Sequence, residues 1–175
     1  RAPGGGWILD SPANNAMAHD LHNMFYVLGR TRETSAIPVR VQAELYRANA
    51  VENFDTIALR CQLDGGVEIM FFASHAADLD TGPVFSYEFE RGTISVSGRG
   101  TAIRADFWNG EGSIYGLSDA EPMKKLGESI ASVRSGRLPA CGLEATLGQT
   151  LCLNAAQDAM PGIADFPNDL IKVRG

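Results

Sequence analysis

Residues 55–74 read DTIALRCQLDGGVEIMFFAS, and their alternation sets the fold class. Ile57, Leu59, Cys61 and Leu63 fall on one side of an extended chain, with Thr56, Ala58, Arg60 and Gln62 on the other. That period of two is the signature of a strand with one buried face. Asp64-Gly65-Gly66 supplies a turn, and Val67, Ile69, Phe71 and Ala73 continue the apolar face on the way back, so the stretch reads as an antiparallel hairpin. Upstream, Val39, Val41, Ala43 and Leu45 alternate with Arg40, Gln42 and Glu44. Downstream, Phe85, Tyr87 and Phe89 lead through Glu90-Arg91-Gly92-Thr93 into Ile94 and Val96, a second hairpin. Ile103, Ala105 and Phe107 form a further alternating run closed by Asn109-Gly110-Glu111-Gly112, after which Ser113 to Tyr115 can pair back. The pattern predicts an open antiparallel sheet of about six strands. Met70 and Phe72 lie on the face opposite Ile69 and Phe71, so the second face is partly apolar and asks for a partner surface. Homo-oligomerisation through that face is the simplest expectation.

Helical periodicity flanks the strands. Ala13, Ala16, Met17, Leu21, Met24, Phe25 and Leu28 recur at spacings of three and four, after Asp10 or Ser11 as cap and Pro12 in the first turn, with Gly29 as stop. Toward the C-terminus, Asp119 can cap a helix marked by Met123, Leu126, Ile130 and Val133 and ended by Gly136. Leu143, Leu147, Leu151 and Ala155 mark another that ends before Pro161. The three helices are expected to cover the sheet together, an α+β architecture. Residues 162–175 show little pattern and read as a C-terminal tail.

Composition narrows the function classes. The chain has 175 residues and a formal charge of −6, with Lys and Arg scattered, which excludes the basic stripe of a nucleic-acid surface. No apolar run approaches the roughly 20 residues that span a bilayer, so no membrane partner is expected. Cys61, Cys141 and Cys152 are odd in number and sit in apolar patterns without metal-ligand spacing, which predicts buried free thiols and a cytoplasmic location. Arg1 stands where an initiator methionine would, so the chain is expected to be cut from something longer.

Chemistry-capable residues gather near the start. Gly4, Gly5 and Gly6 allow close backbone approach to a ligand or a neighbouring domain, and Asp10, Asn14, Asn15, His19 and His22 follow. One reading makes these a cap, local backbone partners and core-margin histidines. The other makes them an active-site wall, because a carboxylate beside an imidazole can support a proton relay near neutrality. His75 directly follows a strand, where loop residues are held rigidly. No G-x-G-x-x-G follows a predicted strand, and His19 with His22 lacks a third ligand at a metal-binding distance, so no metal is expected.

In order, GGGWILDSPANNAMAHDLHNMFYVLG, ENFDTIALRCQLDGGVEIMFFAS, ERGTISVSG and SIASVRSGRLPACGLEATLGQTLCLNAAQDA resemble segments of the C-terminal domain of the glucose-fructose oxidoreductase, inositol dehydrogenase and MocA family (Gfo/Idh/MocA), over most of residues 4–160. The resemblance implies an open, mostly antiparallel sheet with helices on one face and subunit contacts on the other. It makes residues 1–161 a substrate-binding, catalytic and oligomerisation domain, and it places an N-terminal Rossmann domain holding NAD or NADP outside this chain. It further implies hydride exchange with a sugar, polyol or related hydroxy compound. The isolated chain is then expected to be inactive. The family's Asp and His stand four apart, and four after Asp10 stands Asn14; counting back from Leu28-Gly29 puts His19 on the histidine position instead. An amide cannot take a hydroxyl proton and a neutral imidazole can. Asp10 and His19 are therefore the expected catalytic pair, with Asn14, Asn15 and His75 as substrate contacts. The alternative is a non-catalytic module in which the sheet serves assembly or ligand binding.

Overall fold

The structure, a computed structural model, describes residues 10–117, 123–139 and 141–171. Gly4 to Gly6 and the expected cap Asp119 lie outside the described residues. In chain order the elements are α1 (Ala18–Val27), β1 (Pro38–Arg47), β2 (Thr56–Leu63), β3 (Glu68–Ser74), β4 (Phe85–Phe89), β5 (Gly92–Val96), β6 (Ala102–Phe107), β7 (Gly112–Leu117), α2 (Lys124–Ser135), α3 (Leu143–Ala159) and β8 (Ala164–Asp165). The class is α+β, as expected. The strands divide into two four-stranded sheets, ordered β3-β2-β1-β8 and β4-β5-β6-β7. They belong to two compact units, residues 1–77 with 139–175, and residues 78–138.

In the first unit the hairpin β2-β3 turns at Gly65 and Gly66, whose φ values of +93° and +84° suit glycine. Antiparallel register then stacks apolar side chains in rows: Val41, Cys61 and Ile69; Ala43, Leu59 and Phe71; Leu45, Ile57 and Ala73. Helices α1 and α3 cover these rows, and Leu21, Phe25, Cys152, Leu153 and Ala156 close a single core against Leu45, Ile57, Leu59, Cys61 and Phe71. Gly148 sits where α3 meets Phe25 and the Ser35-Ala36 segment. Its N–H donates to Ser35 Oγ at 3.1 Å, and a Cβ there would stand 2.9 Å from both Phe25 and Ser35 Oγ.

Four local expectations are corrected here. Val39 is 63% exposed because the pairing of β1 slips between Pro38 and Arg40, which takes it out of the alternation. Val67 belongs to the turn and is exposed. Pro12 opens a separate 3-10 turn, Pro12–Asn14, in which Ser11 makes no side-chain cap; Asn15, at φ −124° and ψ −105°, leaves helical geometry before α1 begins at Ala18. On α3, Leu143, Leu147 and Leu151 are exposed, and the buried face is Ala145, Gly148, Cys152, Leu153, Ala156 and Gln157. Small residues win that face because the helix approaches so closely. The thiols correct a fifth: Cys61 and Cys152 are buried, whereas Cys141 is exposed.

Residues 162–171 carry structure. Ala164 and Asp165 pair in parallel with Tyr46 and Arg47, Arg47 Nε donates to Asp165 at 2.7 Å, and Phe166 stacks on Tyr46 at 5.2 Å.

The second unit is an antiparallel meander β4-β5-β6-β7 followed by α2. Among its described residues Val96 and Ala105 are the buried apolar side chains. Gly136 ends α2 in the left-handed conformation, φ +67°, where the sequence placed a stop. Helix α2 buries no residue, and its stripe of Met123, Leu126, Ile130 and Val133 is exposed; within the first unit the sheet is covered by α1 and α3.

Candidate functional site

The segment entering α1 is anchored by what it buries. Ser11, Pro12 and Ala13 are buried, while Asn14, Asn15 and the preceding Asp10 remain exposed. The tight turn is closed by Asn14 N–H donating to the Ser11 carbonyl at 3.0 Å and Met17 N–H to the Pro12 carbonyl at 2.9 Å. This turn brings two of the expected substrate contacts beside the expected carboxylate: Asn15 Nδ2 donates to Asp10 Oδ1 at 3.3 Å. Asn14 Oδ1 accepts from Gln149 Nε2 of α3 at 3.3 Å, and the same nitrogen donates to the Ala13 carbonyl at 3.1 Å.

The loop between β1 and β2 holds the rest. Asn53 is buried, and its Nδ2 donates to the main-chain oxygen of Asp10 at 2.9 Å; its buried Oδ1 has no partner. Two residues on, the buried carboxylate of Asp55 shapes the loop by accepting from Asn49 N–H and Asn49 Nδ2, both at 2.8 Å, and from Ala48 N–H at 3.1 Å. The Asp55 carbonyl accepts from the N–H of His75 at 2.9 Å. One loop thus fixes both Asp10 and His75. The imidazole of His75 is exposed.

His19 is exposed in the first turn of α1, and among the described residues no hydrogen bond joins it to Asp10, whose carboxylate engages Asn15. His22, one turn on, is half-buried; burial, then the charge of His19, lowers its pKa from the ordinary 6.5. Its Nε2 lies 3.2 Å from Cys141 Sγ.

Asn53, Gln149 and Cys141 are contacts that spacing does not reveal. Asn53 and Gln149 lie 43 and 135 residues from their partners, and no periodicity or motif in the sequence singles out either one. Among the described residues, no group of His, Cys, Asp and Glu is arranged to hold a metal ion. No described strand runs through a glycine-rich loop into a helix. The groups that the turn does bring together, a carboxylate and side-chain amides, can accept from or donate to hydroxyls. No described helix is long and apolar enough to cross a membrane.

No protein-family model and no curated protein matches the sequence. Solved structures do match. UDP-N-acetylglucosamine 3-dehydrogenase from Acidithiobacillus ferrooxidans superposes with a TM-score of 0.66 at 17% identity, covering 84% of this chain and 45% of that one. An oxidoreductase from Agrobacterium radiobacter, solved with NAD+, L-tartaric acid and magnesium, gives 0.63 at 18% identity over 85% of this chain and 46% of its own. Aldose-aldose oxidoreductase from Caulobacter crescentus, solved with glycerol, gives 0.58 at 15% identity over 72% and 40%. The chain spans less than half the length of each. At these identities the likeness is one of fold, and the fold is that of the C-terminal domain of the Gfo/Idh/MocA oxidoreductases.

Proposed function

We propose that this chain is the substrate-binding domain of a nicotinamide-dependent oxidoreductase acting on a sugar, polyol or related hydroxy compound. The observation that carries the reading is the turn at residues 10–15. It lies on a fold shared with a sugar-nucleotide dehydrogenase and an aldose oxidoreductase, and there Asn15 is tied to Asp10, Asn14 to α3, and the Asp10 main chain to the β1-β2 loop. In this reading Asn14, Asn15 and His75 hold substrate hydroxyls. His19, exposed at the start of α1, takes the proton of the reacting hydroxyl, and the negative charge of Asp10 favours the resulting imidazolium. Catalytic hydrogen bonds tighten with substrate in place, so the pair meets over the bound hydroxyl. NAD or NADP supplies the hydride acceptor or donor and is held mainly by a domain outside this chain. The protein works in the cytoplasm as a homo-oligomer.

The assembly reading has its own observation. Met70 and Phe72 on the outer face of β3 are 64% and 72% exposed, and burying them against a second copy is the role proposed for this face. It stands beside the catalytic reading and replaces it only if the site is inert.

The test is the subunit mass of the protein made in its source cells, with the fluorescence change on mixing that protein with reduced nicotinamide cofactor. A subunit longer by roughly 100 to 150 residues, about one domain, that binds the cofactor supports the dehydrogenase reading. A subunit of this chain's length that binds none leaves the assembly module.

A further inference from the structure

Three cysteines in one chain sit in two environments. Cys61 and Cys152 are fully buried in the first unit's core, and Cys141 is exposed just ahead of α3 in the same unit. Among the described residues, only Cys141 meets an imidazole. His22 Nε2, on α1 and 119 residues away in sequence, lies 3.2 Å from its Sγ. The other ring nitrogen, Nδ1, is buried without a partner. A neutral ring therefore keeps its proton on Nε2, where the sulfur can accept it, since on Nδ1 it would be a buried N–H with no acceptor. Burial and the neighbouring charge of His19 both disfavour the doubly protonated ring. The result is a fixed N–H donor aimed at an accessible sulfur. Cys141 also stands two residues before the first residue of a 17-residue helix, whose N-terminal end favours negative charge, opposed in part by Glu144 in the first turn.

We propose that Cys141 and His22 form a thiol–imidazole pair that is a covalent modification site for small soluble disulfides. The thiol releases its proton to solvent, and the thiolate, supported by the Nε2–H donor, attacks one sulfur of the disulfide. The Cys141–sulfur bond forms as the reagent's sulfur–sulfur bond breaks. The second sulfur leaves as a thiolate and takes up a proton from solvent. Cys141 is oxidised and half of the reagent is reduced, so no further oxidant enters. This site is independent of the dehydrogenase reading. Its placement beside α1 puts the added group next to the helix that carries His19.

The experiment treats the native chain with glutathione disulfide and follows each cysteine by peptide mapping and mass spectrometry. Cys141 is expected to react about 10-fold faster than the same cysteine in a synthetic peptide of residues 137–146. Cys61 and Cys152 should stay unmodified until the protein is unfolded. Replacing His22 by leucine is expected to slow Cys141 by a similar factor, and His22→Gln, which keeps an N–H donor, to retain most of the rate. Modification of Cys61 or Cys152 in a variant exposes misfolding directly. A native Cys141 no faster than the peptide would overturn the proposal, as would a folded His22→Leu protein with an unchanged rate.

Discussion

The two sheets have the same strand number and opposite economies of burial. In β3-β2-β1-β8 the inner rows are covered by α1 and α3, with Phe25, Leu21, Leu45 and Cys61 fully buried. In β4-β5-β6-β7 the strands pair just as regularly, yet only Val96 and Ala105 are buried apolar groups among the described residues, and Ile114, Tyr115 and Leu117 of β7 are each more than half exposed. Backbone pairing thus specifies both sheets, but burial of apolar area, at roughly 25 cal/mol per Å2, stabilises mainly the first. The candidate site is built on that better-buried unit.

The comparison is easiest to break at its extremes. Phe25→Ala should cost about 3–5 kcal/mol, because a fully buried aromatic ring leaves a cavity. Ile114→Ala, at 67% exposure, should stay within about 0.5 kcal/mol. Denaturant titration of the two variants measures both, and similar losses would mean that the second sheet has a core of its own. Gly148→Ala comes next, at about 1–3 kcal/mol, since the new Cβ forces α3 away from Phe25 and Ser35. Hydrogen exchange sharpens the same contrast: amides of β2 should be protected to higher free energy than those of β6.

Smaller effects report on the site itself. Asn53→Ala removes the bond to the Asp10 carbonyl and should cost about 1 kcal/mol. Within the dehydrogenase reading it should also weaken substrate binding more than Asn49→Ala. The smallest is a pH effect. The pKa of His22 is lowered in the folded protein, so below 6.5 the unfolded chain binds more protons than the folded one. Its contribution to stability is complete above pH 6.5 and is lost as pH falls through the folded value. The urea midpoint should therefore decline on acidification from pH 7 to 5, and less steeply in His22→Gln.

What could be read in advance follows the range of the forces involved. The hairpin of 55–74, its Gly65-Gly66 turn, and the stop at Gly136 are local, and alternation and glycine chemistry expose them. The buried face of α3 was not legible. Leu143, Leu147 and Leu151 outrank Ala145, Gly148 and Ala156 in hydrophobicity, but only small side chains fit where the helix meets Ser35, Ala36 and Phe25. At the site the same division holds. Asp10, Asn14 and Asn15 are close in sequence and meet in one turn, whereas Asn53, Gln149 and Cys141 arrive through tertiary packing that no spacing encodes.

The most direct measurement is the turnover of the intact, cofactor-bound subunit on its hydroxy substrate, found from a sugar, sugar-nucleotide and polyol panel, with His19 replaced by alanine. Loss of a general base predicts a fall of about 10²-fold or more in kcat with folding unchanged. Unchanged turnover in a folded His19→Ala enzyme would contradict the assignment of this helix as the catalytic wall.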